Sequence, residues 1–155
     1  MKNSSNKTNR RSSAGEGLSY FRLSLLSYLR DSHPDRVADR AFIASRGDAA
    51  AAAYSQAVKS GDTHDRAEEI ASEVLYAGLH FSPYRTVVNI LWNEFTEEVD
   101  MLQAEELAKK LLPRLASIFE DYPLNDDFAD SAAYRLLYTE LVGEIQILIE
   151  DGRME

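Results

Sequence analysis

The residues able to perform acid–base or metal chemistry are few and widely separated along this chain. Its three histidines are His33, His64 and His80, and it contains no cysteine. None of the three belongs to an H-E-x-x-H pattern, the spacing that sets two zinc ligands on one helix face. A helix-end or packing role accounts for each of them, since a cation near a helix C-terminus is stabilised by the helix dipole. We therefore expect no catalytic residue, no cofactor-binding residue and no metal ligand.

The tripeptide His33-Pro34-Asp35 also occurs in the helix-connecting loop of J-domain co-chaperones, where it stimulates an Hsp70 partner. That function requires a strongly basic preceding helix to meet an acidic groove. Here the preceding segment carries only Arg22 and Arg30, and an aspartate follows. Pro34 suits the first position of a helix, with Asp35 in its first turn. We interpret the tripeptide as a helix start, and a J-domain-like co-chaperone is the least favoured alternative.

Other short patterns have local structural explanations. The acidic connection over residues 121–130 does not match the spacing of oxygen ligands and glycine in an EF-hand calcium loop. In the tripeptide Arg46-Gly47-Asp48, we interpret the glycine as ending one helix and the aspartate as capping the next. No nucleophile elbow or phosphate-binding glycine loop is present. An enzyme is therefore disfavoured, and a small hydrolase without a recognisable motif is kept as an alternative.

The composition is that of a globular protein with an acidic body. Hydrophobic residues make up 45% of the 155 residues and charged residues 28%, which suits one domain with its own core. Residues 1–14 carry four basic residues and no acidic one; the whole chain has a net charge of −9, so residues 15–155 carry −13. A body of that sign repels nucleic-acid phosphates. We expect residues 1–17 to form a disordered basic tail, the only part suited to touch nucleic acid, and residues 18–155 to form a single helical domain.

The chain shows no targeting pattern. The apolar run after the basic tail is interrupted by Arg22 and lacks a small-residue cleavage site, so we do not interpret it as a secretory signal. No uninterrupted stretch of about 18 apolar residues offers a membrane span. We expect a cytoplasmic protein without membrane contact, and the lack of cysteine suits a reducing compartment.

Apolar residues recur at helical spacing from Leu18 almost to the C-terminus. In Asp62–His80, for example, small and aliphatic residues share one face while acidic residues occupy the other. No segment sustains the apolar–polar alternation of a strand. We predict an all-α fold, a compact bundle-like array of about six or seven helices. Gly47 is predicted to end a helix, and Pro113, inside an apolar stripe, predicts a kink or two abutting helices.

The last predicted helix has a wider apolar face than packing on one side requires. Gly143 lies in its middle, where glycine costs roughly 1 kcal/mol, and we interpret it as the site of a close helix crossing. Aromatic residues are enriched at protein interfaces, so Trp92, from the earlier helix that begins at Ser82, is a further candidate. The predicted interface consists of large apolar residues: Trp92, Leu136, Val142, Ile147 and Ile149.

The segments "GLHFSPY" and "LLYTELVGEIQ" carry a resemblance that extends over about Leu18 to Glu150. The sequence there resembles an uncharacterised family of helical proteins, a domain of unknown function from Bacteroides-type bacteria. The resemblance implies an all-α fold and genes that are often part of mobile elements. It implies no established activity, cofactor or catalytic residue.

Together these observations favour a non-enzymatic cytoplasmic protein-interaction module that acts through a protein partner or as a homodimer. An acidic DNA mimic, or another regulator linked to mobile elements, is a second interpretation. Its charge of −13 over residues 15–155 is sparse beside a phosphate every ~3.4 Å along each DNA strand.

Overall fold

The computed structural model describes residues 20–152, and these residues form helices joined by short connections. Within that range there are six α-helices, three short 3₁₀ helices and no strand, which confirms the predicted all-α class. The predicted tail over residues 1–17 lies outside the described residues. The α-helices are α1 (20–32), α2 (Arg40–Lys59), α3 (His64–Leu75), α4 (Pro83–Glu94), α5 (Ala104–Phe119) and α6 (Ala132–Glu150), and the 3₁₀ helices are Pro34–Arg36, Met101–Gln103 and Phe128–Asp130.

The chain divides into two compact units. The first contains the described residues up to Arg30 together with Asp35–Ala77, and so holds most of α1 and all of α2 and α3. The second contains Asp31–Pro34 and the described residues from Gly78 onwards, with α4, α5 and α6. The expectation of a single helical domain over residues 18–155 stays a prediction.

Small residues allow the helices of the first unit to pack closely. α1 buries an i, i+4 stripe of Phe21, Leu25 and Leu29. The partner helices bury mainly alanines, which let backbones approach and add helix propensity at no side-chain cost. These are Ala50 and Ala57 of α2 and Ala67 and Ala71 of α3.

Two sequence-based boundaries in the first unit are wrong. α2 does not end at Gly47, nor does a new helix begin at Asp48, because Arg40–Lys59 is one helix. Gly47 is buried against α1, and Asp48 accepts hydrogen bonds from Arg22, so both residues serve tertiary contacts rather than helix ends. Pro34 lies in a 3₁₀ helix, and Asp39 caps α2 by accepting from the Phe42 backbone N at 3.1 Å.

The ends of α3 are held by side chains of the first unit. Thr63 caps its N-terminus by accepting from Arg66 N at 3.2 Å. At its C-terminus the Arg46 guanidinium donates to three backbone oxygens, those of Val74, Leu75 and Ala77, at 3.3, 3.2 and 2.6 Å. A cation on carbonyls that lack helical partners is favourable.

The second unit has the larger apolar core. α4 is buried on most of its surface, and α5 and α6 each contribute one stripe with i, i+3 and i+4 spacing. Aromatic rings occupy the loops around it; Phe81 and Phe128, for example, lie 5.1 Å apart edge to face. The fully buried aliphatic side chains include Leu91, Leu111, Leu115, Leu137, Leu141 and Ile145.

α5 passes through Pro113 as one helix, Ala104–Phe119, so the expectation of two abutting helices is wrong. Proline removes one backbone hydrogen bond and costs about 3 kcal/mol in a helix interior. Pro113 itself is exposed, while Leu111 and Leu115 on either side are buried. Packing of that buried stripe compensates for the lost hydrogen bond. The sequence already showed that the helical spacing of the apolar residues continues past Pro113.

Candidate functional site

His33 is a packing residue in this fold. Its side chain is only 6% exposed, and its Nδ1 lies 2.8 Å from the Ser32 carbonyl oxygen. The same carbonyl accepts a hydrogen bond from the Ser82 hydroxyl. A buried imidazole cannot be presented to an Hsp70 partner, and Pro34 and Asp35 belong to a 3₁₀ helix rather than an open loop. The structure gives no support to a co-chaperone function.

The other two histidines are at the surface. His64 is hydrogen-bonded through Nδ1 to the Tyr54 hydroxyl. His80 Nδ1 lies 3.9 Å from Asp126 Oδ2, and the His80 side chain is 55% exposed. Within residues 20–152 no group of three or more histidine, aspartate or glutamate side chains is placed to hold a metal ion.

The predicted interface residues separate into two sets. Leu136 and Ile147 of α6 are 63% and 49% exposed. Trp92, Val142 and Ile149 are half-buried and pack against the core of the second unit. Only the first two therefore offer free apolar surface, and the interface itself stays a prediction.

Trp92 has an intramolecular role in addition to its packing. Its indole Nε1 donates to the Met101 backbone oxygen at 3.2 Å. The Arg85 guanidinium lies 5.4 Å from the indole ring centroid, within the range of a cation–π contact. The hydrogen bond ties the 3₁₀ helix Met101–Gln103 to α4, and the cation–π contact lies within α4 itself.

Gly143 is on the same face of α6 as Leu136 and Ile147. The three residues are separated by seven and four positions, whole turns of an α-helix to within a fraction of a residue. A β-carbon built on Gly143 would meet nothing within 4 Å. No described residue of this chain therefore makes the predicted close crossing, and the helix surface at Gly143 is open. Glu140, on that face too, accepts a hydrogen bond from the Tyr122 hydroxyl at 2.5 Å.

A second exposed apolar feature was missed. Met101 and Leu102 are 64% and 91% exposed. The Asp100 carboxylate accepts from Leu102 N at 3.1 Å and fixes this turn. The signal was available for Leu102, because this leucine fits no helical stripe.

A groove in the first unit was also missed. It lies between α1 and the start of α2 and has a volume of about 410 Å³. Three arginines surround an apolar floor, and we refer to it as the arginine groove. Its lining residues are Arg22, Leu26, Arg30, Val37, Arg40, Ile43 and Ala44. No single helix of the sequence contains this set, so its assembly depends on how α1 and α2 pair.

The arginines of this groove differ in their partners. Arg22 donates through Nε and Nη2 to Asp48 Oδ1 at 3.2 and 2.7 Å. For Arg30 and Arg40, by contrast, residues 20–152 supply no side-chain hydrogen bond or ion pair. Two guanidinium groups are thus available at the groove.

The charge is unevenly distributed between the units. The described residues of the first unit include seven basic and eight acidic side chains. Those of the second unit include five basic and sixteen acidic side chains. The acidic character expected for the whole body is therefore a property of the second unit, while the arginine groove lies in a nearly neutral one.

Comparison with known families accounts for the fold. Residues 13–154 match the model of a family described as "Domain of unknown function (DUF1896)". The chain belongs to the DUF1896 family.

A solved structure is similar to this DUF1896 chain. The crystal structure of protein PG0816 from Porphyromonas gingivalis is 44% identical in sequence, with a TM-score of 0.88 over 93% of this chain and 98% of that one. The match confirms the resemblance to an uncharacterised helical family of Bacteroides-type bacteria. Among curated proteins no significant sequence match is found. The DUF1896 description specifies no activity.

None of the helices described for this DUF1896 protein is both long enough and apolar enough to cross a membrane.

Proposed function

We propose that this DUF1896 protein is a non-enzymatic, cytoplasmic interaction module that forms a homodimer through α6. The observation that supports this most directly is the exposed face formed by Leu136, Gly143 and Ile147. Large aliphatic side chains left in water on one helix face are typical of a surface covered by another molecule. The other three predicted interface residues, Trp92, Val142 and Ile149, are partly buried and pack against the core of the second unit.

The energetics favour a second copy over solvent. Fully burying a leucine or isoleucine side chain is worth about 1.5–3 kcal/mol, and each copy would bury the exposed part of two such side chains, 63% of Leu136 and 49% of Ile147. Gly143 costs about 1 kcal/mol in mid-helix, with no described contact in its own chain to offset it. A two-fold crossing places the same face of both copies in contact, so that Gly143 of one copy lies against Gly143 of the other and lets the two helices approach closely.

A homodimer is tested by measuring the mass of the full-length protein in solution by sedimentation equilibrium over a concentration series. We expect a dimer for the wild type and a monomer for the double variant Leu136→Glu/Ile147→Glu, because the substitutions add four carboxylates to the crossing beside those of Glu140. The matched control is Met101→Glu/Leu102→Glu, which adds the same charge at another exposed apolar site of the same unit. This control should remain dimeric.

The outcomes separate the alternatives. A wild-type monomer at all concentrations contradicts self-association. A dimer that survives the α6 substitutions but is lost in the Met101/Leu102 control places the interface at the 3₁₀ helix instead. Circular dichroism of each variant verifies that its helices are retained.

A further inference from the structure

The arginine groove is independent of α6 and has the features of a binding site of its own. We propose that it binds an acidic amphipathic segment of a partner protein. The apolar side chains of that segment lie on Leu26, Val37 and Ile43, and its carboxylates pair with Arg30 and Arg40. This is the helix-in-groove mode of peptide recognition, combined with arginine recognition of acidic groups.

Charge complementarity identifies the occupant. Arg22 already pairs with Asp48, whereas Arg30 and Arg40 have no acidic partner among residues 20–152. Guanidinium groups match carboxylates bidentately, so each has unused capacity for one acidic side chain. The two free arginines are contributed by different helices, one from α1 and one from α2. A ligand that satisfies both must lie across the groove.

The apolar side chains that line the arginine groove indicate that its ligand also carries apolar groups. Arg22, Leu26 and Arg30 follow at i, i+4 and i+8 along α1, so an apolar side chain lies between two cationic ones. Val37 and Ile43 face the same space from the other side. A volume of about 410 Å³ accommodates a few side chains of a peptide. Small inorganic anions would leave this apolar surface in water.

Nucleic acid fits this groove less well than a protein segment. Its affinity comes from neutralising many phosphates, and the groove offers two guanidinium groups that lack an acidic partner among residues 20–152, on a chain of net charge −9. An acidic peptide brings only the few charges that the groove can match. Its binding also buries apolar surface, which a phosphate backbone does not supply.

The test is selection from a library of displayed random peptides on the full-length protein, with counter-selection on the double variant Arg30→Gln/Arg40→Gln. We expect enriched peptides to carry Asp or Glu beside apolar residues at helical spacing. One enriched peptide is then synthesised with a fluorescent label, and its affinity is measured by anisotropy against each protein variant. We expect Arg30→Gln/Arg40→Gln to weaken it about tenfold, and added salt to weaken wild-type binding.

The matched control is Arg114→Gln/Arg135→Gln, which removes the same charge from exposed positions of the second unit. Its affinity should stay within about twofold of the wild type, since neither arginine lines the groove and exposed charges are screened by salt. A version of the peptide with each acidic residue changed to lysine should not bind. Equal binding to wild type and Arg30→Gln/Arg40→Gln, or enrichment of peptides without acidic residues, would overturn the proposal.

Two further outcomes assign the groove to another occupant. Tighter binding of a single-stranded oligonucleotide than of any selected peptide, lost in Arg30→Gln/Arg40→Gln, would replace the peptide by nucleic acid. Loss of the homodimer in the same variant would make the acidic second unit of another copy the occupant. No residue of α6 lines the arginine groove, so Leu136→Glu/Ile147→Glu should leave the peptide affinity unchanged. The dimer proposal and the peptide proposal can therefore be contradicted independently of each other.

Discussion

Gly47 of α2 lies so close to Arg22 of α1 that a β-carbon at position 47 would stand 2.6 Å from Arg22 Cγ. The Arg22 backbone N and Cα are each 3.3 Å from the same point, so the α1 backbone itself limits the space. The neighbouring Arg22–Asp48 ion pair is about half exposed, and pairs of that kind contribute about 0–1 kcal/mol. Close packing at Gly47, more than this ion pair, therefore limits how closely α1 can approach α2, and the arginine groove lies between these two helices.

We expect Gly47→Ala to destabilise the protein by up to about 2 kcal/mol. Overpacking of a close contact costs about 1–3 kcal/mol, and the higher helix propensity of alanine returns about 1 kcal/mol of it. Urea denaturation followed by circular dichroism measures the change. The control Asp48→Asn weakens only the ion pair and should cost less than about 1 kcal/mol. A Gly47→Ala protein as stable as the wild type would mean that the two helices can separate at no cost.

Gly143→Ala should have the opposite effect on folding. In the monomeric Leu136→Glu/Ile147→Glu background we expect a gain of about 1 kcal/mol in the free energy of unfolding, because the new methyl group meets nothing and alanine favours the helix. In the wild-type background the same methyl group obstructs the proposed α6 crossing and should raise the dimer dissociation constant. Urea denaturation measures the first effect and sedimentation equilibrium the second. An unchanged dissociation constant would place the crossing away from Gly143.

The contrast between these two glycines shows what the sequence could and could not predict. Helical periodicity predicted the all-α class correctly, because each helix buries a stripe that is visible in one segment. Local rules placed a helix end at Gly47 and a crossing at Gly143. The structure has a crossing at Gly47 and open space at Gly143, because a mid-helix glycine is explained only by what lies opposite it.

The same limit applies to the candidate sites. The wide apolar face of α6 did not reveal that Val142 would be half-buried and Leu136 exposed, since both extend the same buried stripe on opposite sides. The arginine groove needed the pairing of two helices, which one sequence does not specify. Leu102 was within reach of sequence reasoning, because it belongs to no stripe.

Asp126 connects two loops of the second unit and provides a test of its stability. Its carboxylate accepts from the backbone N of Gly78 at 2.9 Å and of His80 at 3.1 Å. We expect Asp126→Ala to cost about 1–2 kcal/mol, the scale of hydrogen bonds to a charged acceptor reduced by partial exposure. Trp92 is the only tryptophan and lies in this unit, so its fluorescence during urea denaturation follows the relevant transition.

Asp127 is the matched control for this substitution. Its side chain makes no capping hydrogen bond at the 3₁₀ helix Phe128–Asp130, and it is exposed. Asp127→Ala should therefore change stability by less than about 0.5 kcal/mol. Equal effects of the two alanine substitutions would show that the loss of one negative charge, not the Asp126 hydrogen bonds, is responsible.

Tyr122 offers a pH-dependent test of the contact beneath the exposed α6 face. The hydrogen bond from its hydroxyl to Glu140 raises the Tyr122 pKa from 10.0 to about 12, with smaller contributions from burial and from the Glu140 charge. Because the folded pKa is the higher one, this contribution to stability is complete below pH 10.0 and is lost as the pH rises through about 12. We expect Glu140→Gln to move the Tyr122 pKa back towards 10.0, because it removes both the carboxylate that accepts the hydroxyl hydrogen bond and the charge that opposes the phenolate. The phenolate absorbance of each protein, minus that of its Tyr122→Phe counterpart, isolates this one titration. Glu144→Gln, one turn further along α6, is the control and should leave it unchanged. If Tyr122 titrates identically with and without the Glu140 carboxylate, that side chain does not hold the tyrosine, and Glu140 is free to face the second copy across α6.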